Sequence, residues 1–183
     1  MSTHTRAGIL DLSHVPEDRK AEIVDGEIVL MSPTGVAPNF AAGEIFASLR
    51  EHARKTKTGR AVTDNAAFRV NLPNRESLSP DAAFYLGKAR GMKFFEGAPV
   101  FAAEVRSEND YGPSAEKEMA LKRADYFASG TEVVWDVDLL SVDVVKCYRS
   151  TGENVPTIYR RGDIANAEPA VQGWLMPVDD LFE

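Results

Sequence analysis

The chain has 183 residues, 44% hydrophobic and 27% charged, and this is the balance of one soluble folded domain spanning residues 1–183. No apolar run reaches the roughly 20 residues that cross a bilayer, and the first residues lack the apolar stretch of a secretory signal, so the expected setting is cytoplasmic, away from membranes. The net charge of −7 excludes a surface that is basic throughout, but a local cationic patch, or carboxylates awaiting a divalent cation, keeps DNA open as a partner.

Residues 1–15 read as a loosely ordered segment. Pro16 and the following EDRKAE predict a short helical turn, with Pro near its start and acids in its first turn. Asp25-Gly26 between the apolar runs of AEIVDGEIVLM predicts a β-hairpin. SPTGVAP then reads as a loop. A helix is expected from about Phe40 to Lys55, capped near Asn39, with Phe40, Ile45, Leu49 and His52 at near-helical spacing. Arg54, Lys55 and Lys57 at its end complement the helix C-terminus.

RAVTDNAAFRVNL reads as two short strands or one bent strand, and LPNRESLSP as a polar loop. DAAFYL is a strand that starts after Pro80. GKARGMKFFEGAP is a loop or small helix with three cations, Lys88, Arg90 and Lys93. VFAAEVRS is a strand, and a second helix runs from Pro113 or Ser114 to Gly130. EVVWDVD is a strand. SVDVVKCYR and VPTIYRR close the sheet as an antiparallel pair, and the tail packs Trp174 and Leu175 on the body. The fold class is therefore α/β or α+β, a mixed central sheet flanked by helices. Cys147 is the only cysteine, which leaves no intrachain disulfide and no thiolate zinc site. It reads as a packed or edge thiol.

Two acids stand where acids are costly. Asp81 heads a strand. Glu104 lies within an apolar strand, on the same face as Arg106 and opposite Ala103 and Val105. Each is either a member of a structural ion pair or a ligand of a hard cation such as Mg²⁺. Lys122 shares one helical stripe with Glu118 and Tyr126 and is either a solvated pairing partner or part of a site. There is no phosphate-binding glycine loop, no G-x-S-x-G and no H-E-x-x-H.

Several pieces recur in one order: Glu22-Ile23-Val24-Asp25-Gly26-Glu27, Met31-Ser32-Pro33, Pro80-Asp81, Glu104-Val105-Arg106-Ser107, Lys122 with Tyr126 and Gly130, and Val134-Trp135-Asp136-Val137-Asp138. Over about residues 20 to 150 this resembles the Uma-type restriction endonucleases, bacterial proteins of the PD-(D/E)XK nuclease fold. The resemblance implies that Asp81 and Glu104, with Glu22 as a third acid, bind Mg²⁺ or Mn²⁺, and that Lys122 is the catalytic lysine. It implies DNA as the substrate of a metal-dependent endonuclease. Arg106 takes the strand position where a general nuclease motif has lysine. It cannot serve as a base, and is expected to clamp a phosphate or hold Glu104. Lys88, Arg90 and Lys93 are either phosphate contacts or a solvated turn.

The chain departs from the family at Asn39, near which many relatives carry histidine. His4 and His14 lie in the N-terminal segment, and His52 reads as a helix-surface residue. The competing readings are a catalytically impaired nuclease fold acting as a binding or regulatory module, and a homodimeric interaction protein using SVDVVKCYR as an exposed edge.

Overall fold

The structure is a computed structural model that describes residues 6–16, 19–88, 91–152 and 155–182. Its strands and helices follow in the order β1 (Lys20–Val24), β2 (Glu27–Met31), α1 (Val36–Thr56), β3 (Arg60–Thr63), β4 (Phe68–Arg69), β5 (Ser77–Leu78), β6 (Ala82–Tyr85), β7 (Phe95–Glu96), β8 (Phe101–Val105), α2 (Pro113–Ala128), β9 (Val133–Val137), β10 (Val145–Arg149), β11 (Thr157–Tyr159), β12 (Ile164–Asn166) and β13 (Leu175–Pro177).

Six strands form the central sheet in the order β11-β10-β9-β8-β6-β3. Within this sheet only the β8–β9 pair is parallel; α2 supplies the crossover it needs. One face of the sheet packs on α1 through Ala41, Ala42, Ile45 and Leu49, which meet Ala103, Val105 and Trp135. The same core takes in Trp174, whose ring stacks on Trp135 at 5.0 Å. The other face carries Ala83, Tyr85, Ala102 and Val134 and buries Tyr126 of α2. The alternation of the strands thus sends odd and even residues to different layers. Glu104, in step with Ala102, faces the α2 side, opposite Ala103 and Val105 as the alternation predicts.

The Asp25-Gly26 hairpin forms as expected: β1 and β2 pair antiparallel across it, with Asp25 at φ 53° and Gly26 at φ 79°, the left-handed pair such a two-residue turn requires. Three local expectations need correction. The first helix starts at Val36 with Gly35 as its N-cap, not near Asn39. Pro38 falls in the first turn, where the backbone N–H groups have no helical partner and its missing donor costs nothing. With that phase the buried stripe omits Phe40, which is exposed. The helical turn read over EDRKAE does not hold at Lys20, Ala21 and Glu22, which belong to β1; Glu17 and Asp18 lie outside the described residues. Within the segment read as loosely ordered, Ile9–His14 forms a 3-10 helix and Ile9 is buried. Residues 1–5, with His4, lie outside the described residues.

The late strands also differ in place. SVDVVKCYR supplies β10, which lies between β9 and β11 and is not a free edge; β11 is the edge instead. In the tail, Trp174 is buried while Leu175 is exposed. Cys147 is a buried thiol of β10, pushed up in pKa by burial, and it faces the Asn166 carbonyl. No described helix is long and apolar enough to cross a membrane.

Candidate active site

The register of β6 on β8 builds the site. Ala82 pairs with Ala103, so the next residues outward, Asp81 and Glu104, stand opposite one another, and the Asp81 N–H donates to the Ala103 carbonyl at 3.1 Å. The Asp81 carboxylate is pinned at Oδ2 by the Val105 N–H at 2.8 Å, and at Oδ1 by Lys20 Nζ at 2.9 Å. Lys20 also reaches Asp64 Oδ1 at 2.6 Å. Glu104 accepts the Tyr126 hydroxyl at Oε1, 2.5 Å, and Lys122 Nζ at Oε2, 2.9 Å. Both donors come from α2, one turn apart on the stripe that faces the sheet.

Lys122 extends the network inward. Its ammonium lies 3.1 Å from Glu22 Oε1. Glu22 is buried and also accepts the Ser79 N–H at 2.7 Å and Arg75 at 2.5 Å. The Arg75 Nε donates to Asp125 Oδ2 at 2.7 Å, and Asn74 caps the same carboxylate at 2.9 Å. The result is one series in which acid and cation alternate except where Asp81 stands beside Glu104: Asp64, Lys20, Asp81, Glu104, Lys122, Glu22, Arg75, Asp125. Each buried charge has an opposite partner, as burial demands. Five carboxylates face three cations, a formal surplus of two negative charges.

The protonation equilibria follow from this crowding. Burial pushes the Glu104 carboxyl up; Lys122 opposes that shift and the neighbouring Asp81 charge adds to it. Burial pulls the Lys122 ammonium down, but Glu104 and Glu22 outweigh burial and hold it above its ordinary value. Lys20 is likewise held above its ordinary value against burial, chiefly by Asp81 and Glu104. Both lysines are therefore fixed positive charges near neutral pH and not bases. Burial and the Glu104 charge push the Tyr126 phenol far up, so it stays a hydrogen-bond donor.

The sequence matches the family model for the Uma2 putative restriction endonucleases over residues 8–179. The chain belongs to the Uma2 family. A solved structure described as a putative nuclease of the DUF820 group, from Anabaena variabilis, matches with a TM-score of 0.73 at 15% identity, covering 96% of this chain and 97% of that one. A comparison with the curated proteins found no match to the chain. The expected fold class is borne out: the Uma2 chain has a mixed central sheet flanked by helices, of the restriction-endonuclease-like type.

Within this Uma2 chain, Asp81, Glu104 and Lys122 come together, and Glu22 joins them through Lys122. The oxygens of Glu22 are taken by Arg75, Ser79 and Lys122. The expectation that Arg106 holds Glu104 needs correction. Its buried guanidinium forks onto Asp136 through two 2.8 Å bonds and onto Glu116. Asp136 lies beside Glu104 on the next strand, so Arg106 neutralises the neighbouring acid. Lys88 and Lys93 are exposed; Arg90 lies outside the described residues. Asn39 is exposed in the first turn of α1 and makes no hydrogen bond to the cluster among the described residues. Lys20, Asp64, Arg75 and Asp125 are members that the sequence reading missed.

The Arg106–Glu116 pair gives a pH test of this assignment. The Arg106 hydrogen bond holds the Glu116 carboxyl below its ordinary range. The pair therefore adds stability above the unfolded carboxylate pKa and loses it as pH falls through the lower folded value. In urea unfolding across the acid range, Glu116→Gln should show a flatter loss of stability than the parent. Parallel profiles would remove Glu116 from the account.

Proposed function

We propose that this protein is a metal-dependent endonuclease that hydrolyses DNA phosphodiester bonds at the Asp81–Glu104–Lys122 cluster. The observation that carries this reading is the register that sets Asp81, just before β6, opposite Glu104 on β8, with Lys122 at 2.9 Å from Glu104. The donor set fits a hard divalent cation: both acids offer oxygen only, and the surplus of two negative charges matches its charge. Asp81 and Glu104 would hold Mg²⁺ or Mn²⁺. When bound, such a cation polarises a phosphoryl oxygen and makes a bound water more acidic. Lys122, permanently charged, offsets negative charge that develops on the phosphate. Tyr126 fixes the orientation of Glu104, and Glu22 with Arg75 fixes Lys122. DNA is the partner this chemistry requires.

A second reading has one observation in its favour. Lys20 already sits on Asp81 at 2.9 Å, and only two acids converge, so an internal ammonium takes the place of a metal in a nuclease fold that binds without cutting. Plasmid cleavage separates the two. The parent should nick supercoiled DNA with millimolar Mg²⁺ or Mn²⁺ and be silent in chelator, and Asp81→Asn should be inactive. Cleavage that survives Asp81→Asn, or a folded parent that neither cuts nor gains thermal stability with either metal, would defeat the nuclease reading.

A further inference from the structure

The end of the β3–β6 pair remote from Asp81 carries the opposite charge. Arg50, Arg54 and Lys55 lie in the last turns of α1, Lys57 is its C-cap, Arg60 opens β3, and Lys88 follows β6. These segments share one corner. Arg60 pairs with Tyr85 across the two strands, and a Cβ added to Gly59 would strike the Leu86 side chain. All six cations are exposed. None has an ion-pair partner among the described residues. Between residues 50 and 60 the one acid is Glu51. In a chain of net charge −7, so local a concentration of positive charge sets this corner apart.

Complementing the C-terminus of α1 does not explain it. Arg54 and Lys55 in the last turn serve that purpose, and Thr56 already donates to the His52 carbonyl at 2.8 Å. Arg50 is too far back, and Lys57, Arg60 and Lys88 lie beyond the helix. Lys57 moreover holds φ 59°, a left-handed conformation that glycine adopts without steric cost. Six like charges held together unpaired repel one another, and a polyanion relieves that repulsion.

We propose that this corner is a binding surface for the phosphate backbone of duplex DNA, separate from the cleavage centre. The proposal rests on the nuclease reading for its choice of polyanion. β3 and β6 connect the two places: Arg60 opens β3 here, while Thr63 at its other end pairs with Ala82, next to Asp81. Four strand residues cover roughly 13 Å, about four base-pair steps of a duplex. β3 is an edge of the sheet, so a duplex that meets both the patch and the acidic cluster passes around that edge, from the α1 face to the α2 face.

The test is fluorescence anisotropy with a labelled duplex of about 30 base pairs over a series of salt concentrations. The full chain carrying Asp81→Asn is the uncut background, and Arg54→Glu, Lys57→Glu and Arg60→Glu are added to it. The triple reversal should weaken binding at least about tenfold at low salt. The slope of log affinity against log salt should lose about 0.9 for each phosphate contact removed, so about 2 to 3 in all. Should the Glu variant misfold, the triple Gln variant should show the same change of slope. Unchanged affinity and slope in a folded variant would overturn the proposal, as would no duplex binding by the background protein. Loss of binding to phosphatidylserine vesicles with DNA binding retained would overturn it in favour of a membrane partner. Plasmid cleavage run alongside keeps the two readings apart. Patch-dependent binding without any metal-dependent cleavage by the parent would sink only the nuclease reading. Cleavage by the parent, with binding indifferent to the reversal, would sink only the patch.

Discussion

Arg75→Met should lower the free energy of unfolding by about 3–5 kcal/mol, the usual cost of removing one partner from a buried charge network. Arg75 is 7% exposed and Glu22 2%. The guanidinium is the one cation between Glu22 and Asp125. Without it Glu22 keeps Lys122 and the Ser79 N–H, while Asp125 keeps only Asn74 among the side-chain bonds described here. Two buried carboxylates then compete for too little positive charge, and protonation is their way out. The stability deficit should accordingly shrink as pH falls into the carboxylate range. Arg75→Lys should rescue little, because Nε serves one acid and a terminal nitrogen the other, a fork that an ammonium cannot reproduce. Urea midpoints at several pH values would decide it. A loss under about 1 kcal/mol, or a lysine variant as stable as the parent, would show that the series is not held together here.

This residue also marks where sequence reading stopped. Arg75 sits in LPNRESLSP, a polar stretch with two prolines, and nothing local distinguishes it from a solvated loop cation. Its partners are 53 and 50 residues away. Lys20 is 61 residues from Asp81, and the acids flanking it suggest a helical turn rather than β1. Such charges become meaningful only when β1 is placed against β5 and α2. Local features were legible: the Asp25-Gly26 turn, the alternation that puts Glu104 opposite Ala103, and the spacing of Lys122 and Tyr126. The union of Asp81, Glu104 and Lys122 was not, since strand register is a tertiary fact. The resemblance to Uma-type endonucleases supplied it, and the pairing of Ala82 with Ala103 gives its physical cause. Arg106 shows the limit of a motif carried over by position. It follows directly on β8, which ends at Val105, and its partner is not Glu104, because Asp136 on the adjacent strand offers two oxygens to its fork.

Glu104→Gln should separate stability from activity. The amide keeps the shape of the carboxyl but can offer an oxygen to only one of its two donors, Tyr126 and Lys122. One hydrogen bond lost in a half-buried place costs about 1–2 kcal/mol. Against that stands the relief of a charge that burial already disfavours, as the raised Glu104 pKa shows. The two effects nearly cancel, so the variant should unfold within about 1 kcal/mol of the parent without metal. Divalent-dependent behaviour should change far more. At a metal concentration about a hundred times its dissociation constant, the parent gains about 2.7 kcal/mol, and the variant should gain little. Cleavage should fall by more than the roughly 10–100-fold that follows loss of an outer-shell partner. The opposite pattern, a large loss of stability with metal response and cleavage intact, would make Glu104 a structural anchor for Lys122. A residue whose removal barely moves the fold yet abolishes the response to a cation is one the fold did not need for its own sake. Arg75 is expected to behave in the reverse way, and comparing these two variants divides the buried charge series into its scaffold and its working end.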